Sequence, residues 1–460
     1  MSRLACLFIC LFLLPLTARA QIDPKVVQEV YDRVTPSLVV VQYTWDSELG
    51  KREVFTPAIV VSADGLVMFS MYAVSLEIPD EQLKDFKVVI PSVEKDHQEL
   101  EAEFTGRDER TLLAFARIKE KGTYPALKFV DTPVQLGESL MSIGLLPKQG
   151  GYKGYVMRST VAAHLRGAYP YILVSGGLGM VGAPVINAKG EAVGFVNWQQ
   201  GQSPYLNFLQ QPLQAVQLPP TLFQPSRDFA QSFEDPIESG KPQALPWSGM
   251  GQITGLTKDV ADFFGLKDTP AVEITDVIPG GPADKVGLKK GMKIVKLDGK
   301  PIERGDEPDD LPQILQRYLH RKKVGDTVAV TIIEARGKEP REVKVVLEGQ
   351  PARPNIAKRF WAEDLGFGVR ELTFYDTYFR RLPVDQKGVS ISLIKPEGAA
   401  ETAKLAANDI VTELNDTPVA TLEDFKKVYE STRASKPGDA MKLVVLRQGA
   451  TQVIRIEPPQ

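Results

Sequence analysis

YILVSGGLGMVGAPVINAKGEAVGFVNW, residues 171–198, is the stretch on which the fold turns. Two apolar runs, Ala183–Asn187 and Ala192–Trp198, flank the short connection Ala188-Lys189-Gly190-Glu191, a pattern that reads as a β-hairpin. A glycine-rich loop feeds it. Within that loop, Gly177-Leu178-Gly179-Met180-Val181-Gly182 also spells G-x-G-x-x-G, which in a dinucleotide site requires a helix to begin inside the motif and meet the pyrophosphate. Pro184 and the β-branched pair Val185-Ile186 favour extended chain instead. No dinucleotide site, and no other cofactor, is expected.

Upstream, short strand-like runs recur at Ser37–Thr44, Val54–Ser62, Leu66–Ser70, Phe86–Ile90, Leu113–Ile118, Ser139–Gly144 and Tyr152–Ala163, with glycine-rich turns between them. Close spacing of this kind predicts a β-barrel or sandwich rather than a wound α/β sheet. Ahead of them, Val26, Val27, Val30, Tyr31 and Val34 stand at helical spacing, and Pro36 ends that helix.

The chain has 460 residues and 43% hydrophobic content, enough for roughly three domains. Met1–Ala20 carries an early Arg3, an apolar run from Leu4 to Leu16 and the small-residue site Ala18-Arg19-Ala20, the pattern of a secretory signal peptide. The run is too short for a spanning helix, which needs roughly 20 apolar residues, and no later segment reaches that length, so no transmembrane segment is expected in the mature chain. Both cysteines, Cys6 and Cys10, fall inside the leader. The mature chain is thus without disulfides or cysteine chemistry, which suits an oxidising export compartment, periplasmic or secreted. Cleavage removes Arg3 and Arg19, leaving 53 basic against 58 acidic residues. No basic stripe points to nucleic acid. His97, His164 and His320 stand apart, with neither paired spacing nor cysteine partners, so no metal site is expected.

Gln200–Trp247 changes character, being rich in Gln and Pro, and reads as a linker over 200–246. Beyond it the chain repeats itself at a constant offset of 117 residues: Gly251 answers to Gly368, Pro279 to Pro396, Leu288 to Leu405 and Leu297 to Leu414. Two copies of one domain are expected at 247–349 and 360–458. Each resembles a PDZ domain of the bacterial, protease-associated kind, carried by its Gly-apolar-Gly loop, its Pro-Gly-Gly-Pro-Ala or Pro-Glu-Gly-Ala-Ala segment and its Ile294–Ile302 or Val411–Val419 run, with a further helix expected near Asp310–His320 in the first copy and Thr421–Thr432 in the second.

The chain from about Val39 to Trp198 resembles the trypsin-like serine proteases of the HtrA (Deg) family. Gly179-Met180-Val181-Gly182-Ala183-Pro184-Val185-Ile186-Asn187 stands where that family has G-N-S-G-G-A-L-V-N. Ser62-Ala63-Asp64-Gly65 matches its S-x-D-G turn, and Gly106–Ala114 resembles its D-x-x-(T/S)-D-L-A segment. The resemblance implies a mainly β protein: a trypsin-like double β-barrel over 21–199, then two α+β PDZ domains. It places Tyr72 at the family's histidine, Leu112 at its aspartate and Val181 at its serine. None of these side chains can relay a proton or attack a carbonyl.

The expectation is therefore an exported HtrA-like pseudoprotease, not an enzyme, acting as a peptide-binding scaffold or chaperone-like factor. Its partners are peptides or protein C-termini held by Gly249, Met250 and Gly251 in the first PDZ loop and by Gly366, Phe367, Gly368 and Val369 in the second, where free backbone N–H groups would receive a carboxylate and the strand edge would accept the peptide. The second loop keeps the family pattern better, because Gln252 follows Gly251 in the first. By resemblance a homo-oligomer, a trimer, is implied. The alternative is an active HtrA-type endopeptidase with a relocated nucleophile such as Ser175.

Overall fold

The computed structural model describes residues 22–92, 96–166, 170–197, 221–230, 245–267, 269–383 and 385–458. The expected leader and most of the expected linker lie outside them. Among the described residues no helix is long and apolar enough to cross a membrane.

The opening helix, Pro24–Val34, is capped by Asp23, whose carboxylate accepts from Lys25 N at 2.8 Å. It buries Val30 and Val34 and leads through a short 3₁₀ turn into the first of two closed barrels. That barrel contains β1 Leu38–Ser47, β2 Gly50–Val60, β3 Leu66–Ser70, β4 Leu83–Ile90, β5 Gln98–Asp108 and β6 Leu113–Ile118, closed in the order β1-β2-β3-β6-β5-β4. The second contains β7 Ser139–Leu145, β8 Gly154–Arg166, β9 Pro170–Gly176, β10 Pro184–Asn187, β11 Ala192–Phe195 and β12 Leu222–Pro225, closed in the order β10-β11-β12-β9-β8-β7. The hairpin expected around Gly190 is β10–β11. Each barrel has its own apolar filling, and a third cluster including Val34, Leu38, Met68, Phe115, Met141, Ile186 and Phe195 joins the two barrels and the opening helix.

Two strands depart from the sequence reading. β5 lies partly in the polar run Glu94–Glu101. Its outward residues are glutamates, while Leu100 and Ala102 point inward, so the alternation is present under a charged surface. β12 lies inside the span read as a linker. It pairs with both β9 and β11, and Phe223 and Phe229 beyond it are fully buried. The second barrel thus takes its sixth strand from within 200–246.

The repeat is realised as two α+β units. The first has β13 Pro246–Trp247, β14 Met250–Gly255, β15 Val272–Val277, β16 Lys293–Leu297, β17 Lys300–Pro301, β18 Thr327–Ile333, β19 Arg341–Val346 and β20 Glu348–Gly349, with the helix Leu311–His320. The second has β21 Arg359–Ala362, β22 Phe367–Glu371, β23 Val389–Ile394, β24 Ile410–Leu414, β25 Thr417–Pro418, β26 Met441–Arg447 and β27 Ala450–Ile456, with the helix Leu422–Ser435. Both helices fall where the sequence places them. The longer is closed by a capping box between Thr421 and Asp424.

The units touch. Arg321 pairs with Asp228 beside the second barrel at 2.9 Å, and the aromatic helix Phe374–Arg380 of the second PDZ unit meets the first through Trp247–Phe374 and through the Tyr378 hydroxyl, which donates to Asp276. The connecting segment 350–359 is strapped to the first barrel. Arg353 pairs with Glu109 at 2.8 Å, Asn355 donates to the Leu76 carbonyl, and Arg359 lies 3.8 Å from Glu48.

Candidate functional site

The three positions singled out by the resemblance lie on loops at the seam between the barrels. Tyr72 sits in the 3₁₀ turn Met71–Val74 at the end of β3, capped by Ser70 Oγ, which accepts from Tyr72 N at 3.3 Å. Leu112 occupies the left-handed region at φ 58°, and its carbonyl accepts from Met71 N at 3.0 Å, tying the two loops together. Val181 lies in the tight turn closed by Ala183 N donating to Met180 O at 3.0 Å. That turn is pressed onto the first barrel by Gly182, whose φ is 102° and where a Cβ would stand 2.6 Å from Pro57 O. Only glycine fits there. Tyr72, Leu112 and Val181 are each half-buried, and burial raises the pKa of the Tyr72 hydroxyl, keeping it protonated.

Backbone amides of the loop are spoken for inside the protein. Gly179 N donates to Ser142 Oγ at 2.6 Å and Met180 N to Tyr155 Oη at 3.0 Å. An oxyanion needs amides free to point at it, and these two are turned to side chains.

Behind the two loops lies a polar network that sequence reasoning missed. Ser70 Oγ donates to Asn197 O at 2.8 Å across the barrel seam. Asn197 Nδ2 donates to Gln224 Oε1 at 2.9 Å, and Gln224 Nε2 donates to Thr111 O at 3.1 Å and to Asp228 at 2.9 Å. Asn197 and Gln224 have no exposed surface. No local pattern signals them, because each acquires its role only when β12 closes the barrel.

Ser175 is exposed on β9 opposite Thr160, whose carbonyl its hydroxyl approaches at 3.5 Å. His164 stands opposite Ile172, three positions along the strand and so about 10 Å away. His97 Nδ1 accepts from Ser92 N at 3.1 Å, and His320 ends a helix of the first PDZ unit. The histidines are therefore not gathered on this serine. Among the described residues no group of three or more His, Cys, Asp or Glu stands together for a metal.

The PDZ loops repeat each other atom for atom in their anchoring. Gly249 (φ 74°) and Gly366 (φ 70°) take the same left-handed turn. Gly249 O accepts from Ile278 N and Ser248 O from Ala283 N, as Gly366 O does from Lys395 N and Leu365 O from Ala400 N. Their strand edges differ. β14, carrying Met250 and Gly251, ends its sheet and leaves Gln252 and Thr254 exposed. The carboxylate of Asp276 lies against Gly251, where a Cβ would stand 2.6 Å from it. β22, carrying Phe367, Gly368 and Val369, has β21 along its outer edge, and all three are buried.

Comparison with known proteins places these units. Residues 45–195 match the trypsin-like peptidase domain, and 251–347 and 364–457 each match the PDZ domain. A "Probable periplasmic serine endoprotease DegP-like" of Ectopseudomonas mendocina (strain ymp) is 26% identical over 413 residues, 86% of this chain and 78% of the relative. One of Rhizobium meliloti (strain 1021) with the same name is 24% identical over 368 residues, 77% of this chain and 68% of the relative. Among solved structures, "HtrA-type protease AlgW with tripeptide" has a TM-score of 0.53 at 18% identity, covering 71% of this chain and 98% of the other.

These relatives overturn the expectation that the chain is not an enzyme, for they are named serine endoproteases over most of its length. The physical reason is a matter of reach. Tyr72, Leu112 and Val181 are only the positions that the resemblance sets against a triad, and their side chains do not decide whether another hydroxyl of the barrels serves as nucleophile.

Proposed function

We infer, for a chain of the HtrA family with its trypsin-like domain followed by two PDZ domains, that it is an exported serine endopeptidase acting on extended polypeptide, which its PDZ domains engage. The observation that carries this reading is the alignment of barrels and PDZ units, in order, along 86% of the chain with a relative named a periplasmic serine endoprotease. The nucleophile is then a hydroxyl other than position 181. Ser175 is the one assigned, being exposed at the entrance to the glycine-rich loop. No histidine stands beside it in the single chain, so its general base is to be brought by rearrangement on substrate binding or by a neighbouring copy in a homo-oligomer.

The test is labelling of the mature full-length chain with a serine-directed fluorophosphonate, alongside cleavage of an unfolded protein substrate. The expected result is one labelled site, with labelling and cleavage both lost in Ser175→Ala. Absence of labelling and cleavage in the unaltered chain overturns the endopeptidase reading, and labelling that survives Ser175→Ala overturns the assignment of the nucleophile.

A further inference from the structure

The second PDZ unit holds a strand of its own chain where a peptide ligand would lie. In peptide recognition by added strand, the ligand runs antiparallel to the strand after the Gly-apolar-Gly loop, with its C-terminal end at the loop and alternate side chains entering a groove beside the helix. β21 meets each condition. It runs antiparallel to β22 with Arg359 opposite Arg370, Phe360 opposite Val369, Trp361 opposite Gly368 and Ala362 opposite Phe367, so its C-terminal end is the end at the loop. There the Ala362 carbonyl accepts from Leu365 N at 3.2 Å and Gly366 N at 2.9 Å, taking the loop amides that a terminal carboxylate would use.

The side chains complete the match. Phe360 packs edge-on against Phe425 and Tyr429 of the helix Leu422–Ser435, with ring centroids 6.2 and 5.2 Å away. Ala362 is fully buried. Past the strand, Asp364 is held by the Tyr429 hydroxyl and by Arg433 Nε at 2.6 Å, which clasps the turn to the same helix. In the first unit Leu245, the counterpart of Ala362, accepts instead from Gln350 N at 2.8 Å, β13 beside it pairs with β20, and among the described residues no strand lies along the outer edge of β14.

We propose that Arg359–Ala362 is a ligand supplied in cis, closing the peptide groove of the second PDZ domain, and that this groove is built for a peptide ending in an aromatic residue, any residue and a small last residue. The proposal rests on the PDZ domains' engaging peptide, and is independent of hydrolysis. A plug tethered by a four-residue turn competes at an effective concentration in the millimolar range. An incoming peptide sees its affinity lowered by the fraction of grooves open at any moment.

The probe is a fluorescein-labelled decapeptide ending in Arg-Phe-Trp-Ala with a free carboxylate, titrated by anisotropy into the mature full-length chain. Amide hydrogen exchange locates the binding. Two variants open the groove by different routes: Asp364→Ala removes the clasp outside the core, and Phe360→Asp evicts the aromatic anchor. The expected result is no peptide-dependent protection of residues 367–371 in the unaltered chain. In Asp364→Ala, affinity rises at least about tenfold, with protection appearing at 367–371 and lost when the peptide's Phe is replaced by Asp. Circular dichroism and exchange across β26 and β27 identify a variant that has unfolded; Asp364→Ala then decides alone. Equal affinity at 367–371 in the unaltered chain and in folded Asp364→Ala overturns the proposal, as does a folded Asp364→Ala that gains no binding there. Either outcome leaves the fluorophosphonate result untouched, so failure of the plug and failure of the endopeptidase reading are told apart.

Discussion

Asp376→Ala in the second PDZ unit should be the costliest single polar substitution in that domain. Asp376 takes both prongs of the Arg370 guanidinium at 2.6 and 2.7 Å and also accepts from Thr373 N at 2.9 Å and Thr373 Oγ1 at 2.8 Å. The side chains of Arg370 and Asp376 are 7% and 3% exposed, so neither charge has water to fall back on. Truncating the carboxylate strands a buried guanidinium, a loss of about 3–5 kcal/mol, and also removes the cap of the helix Phe374–Arg380, alone about 1 kcal/mol. The two losses share one carboxylate and do not simply add. Replacing both partners, Arg370→Met with Asp376→Leu, should cost far less, because apolar residues of similar volume repay the missing attraction with burial.

The same pair carries a pH signature. Burial pushes the Asp376 carboxyl upward, but hydrogen bonds from Arg370 and Thr373 outweigh it and hold its pKa below the ordinary value. A carboxylate depressed in the folded state contributes stability above its unfolded pKa of about 4 and surrenders it as pH falls through the folded value. Local opening free energies of β22 and β23 from amide hydrogen exchange give the readout. A loss below about 1 kcal/mol in Asp376→Ala, against the 3–5 reasoned from burial, would refute the argument, as would a double replacement as costly as the single one.

Two further outcomes follow from the geometry. Burial and the nearby Arg353 lower the His320 pKa from 6.5 to about 4, so the unfolded chain takes up a proton that the folded one refuses; stability should fall as pH drops from 6.5 to about 4, and His320→Gln should flatten that slope in pH-dependent urea unfolding. Gly182→Ala combines a φ of 102° with a Cβ 2.6 Å from Pro57 O, so it should lift the Val181 turn off the first barrel at a cost of about 1–3 kcal/mol, seen as faster exchange in β10 and β11.

The sequence was most legible where periodicity is local. The β10–β11 hairpin and the β3 strand follow from short apolar runs beside glycine-containing turns, and the helices near 311–320 and 422–435 from helical spacing or a capping pattern, each visible within a dozen residues. β5 was obscured because its outward face is nearly all glutamate, and β12 because Pro and Gln dominate its neighbourhood while its pairing partners lie far away in sequence. The two PDZ loops look alike as sequence, with the second closer to the family pattern, yet their edges differ because Leu245–Trp247 and Arg359–Ala362 choose different neighbours. That choice is a long-range event, and no short motif encodes it. Asn197 and Gln224 escaped for the same reason, being ordinary residues until the barrel closes around them.

The strap between Arg353 and Arg359 gives the molecule a mechanical property beyond its parts. One end is fastened to Glu109 and the Leu76 carbonyl, flanking the loops that bear Leu112 and Tyr72; the other runs without a break into β21. The covalent chain between these anchorages cannot stretch, so the seven residues set an upper limit on how far β21 can travel from the rim of the first barrel while Arg353 and Asn355 keep their hold.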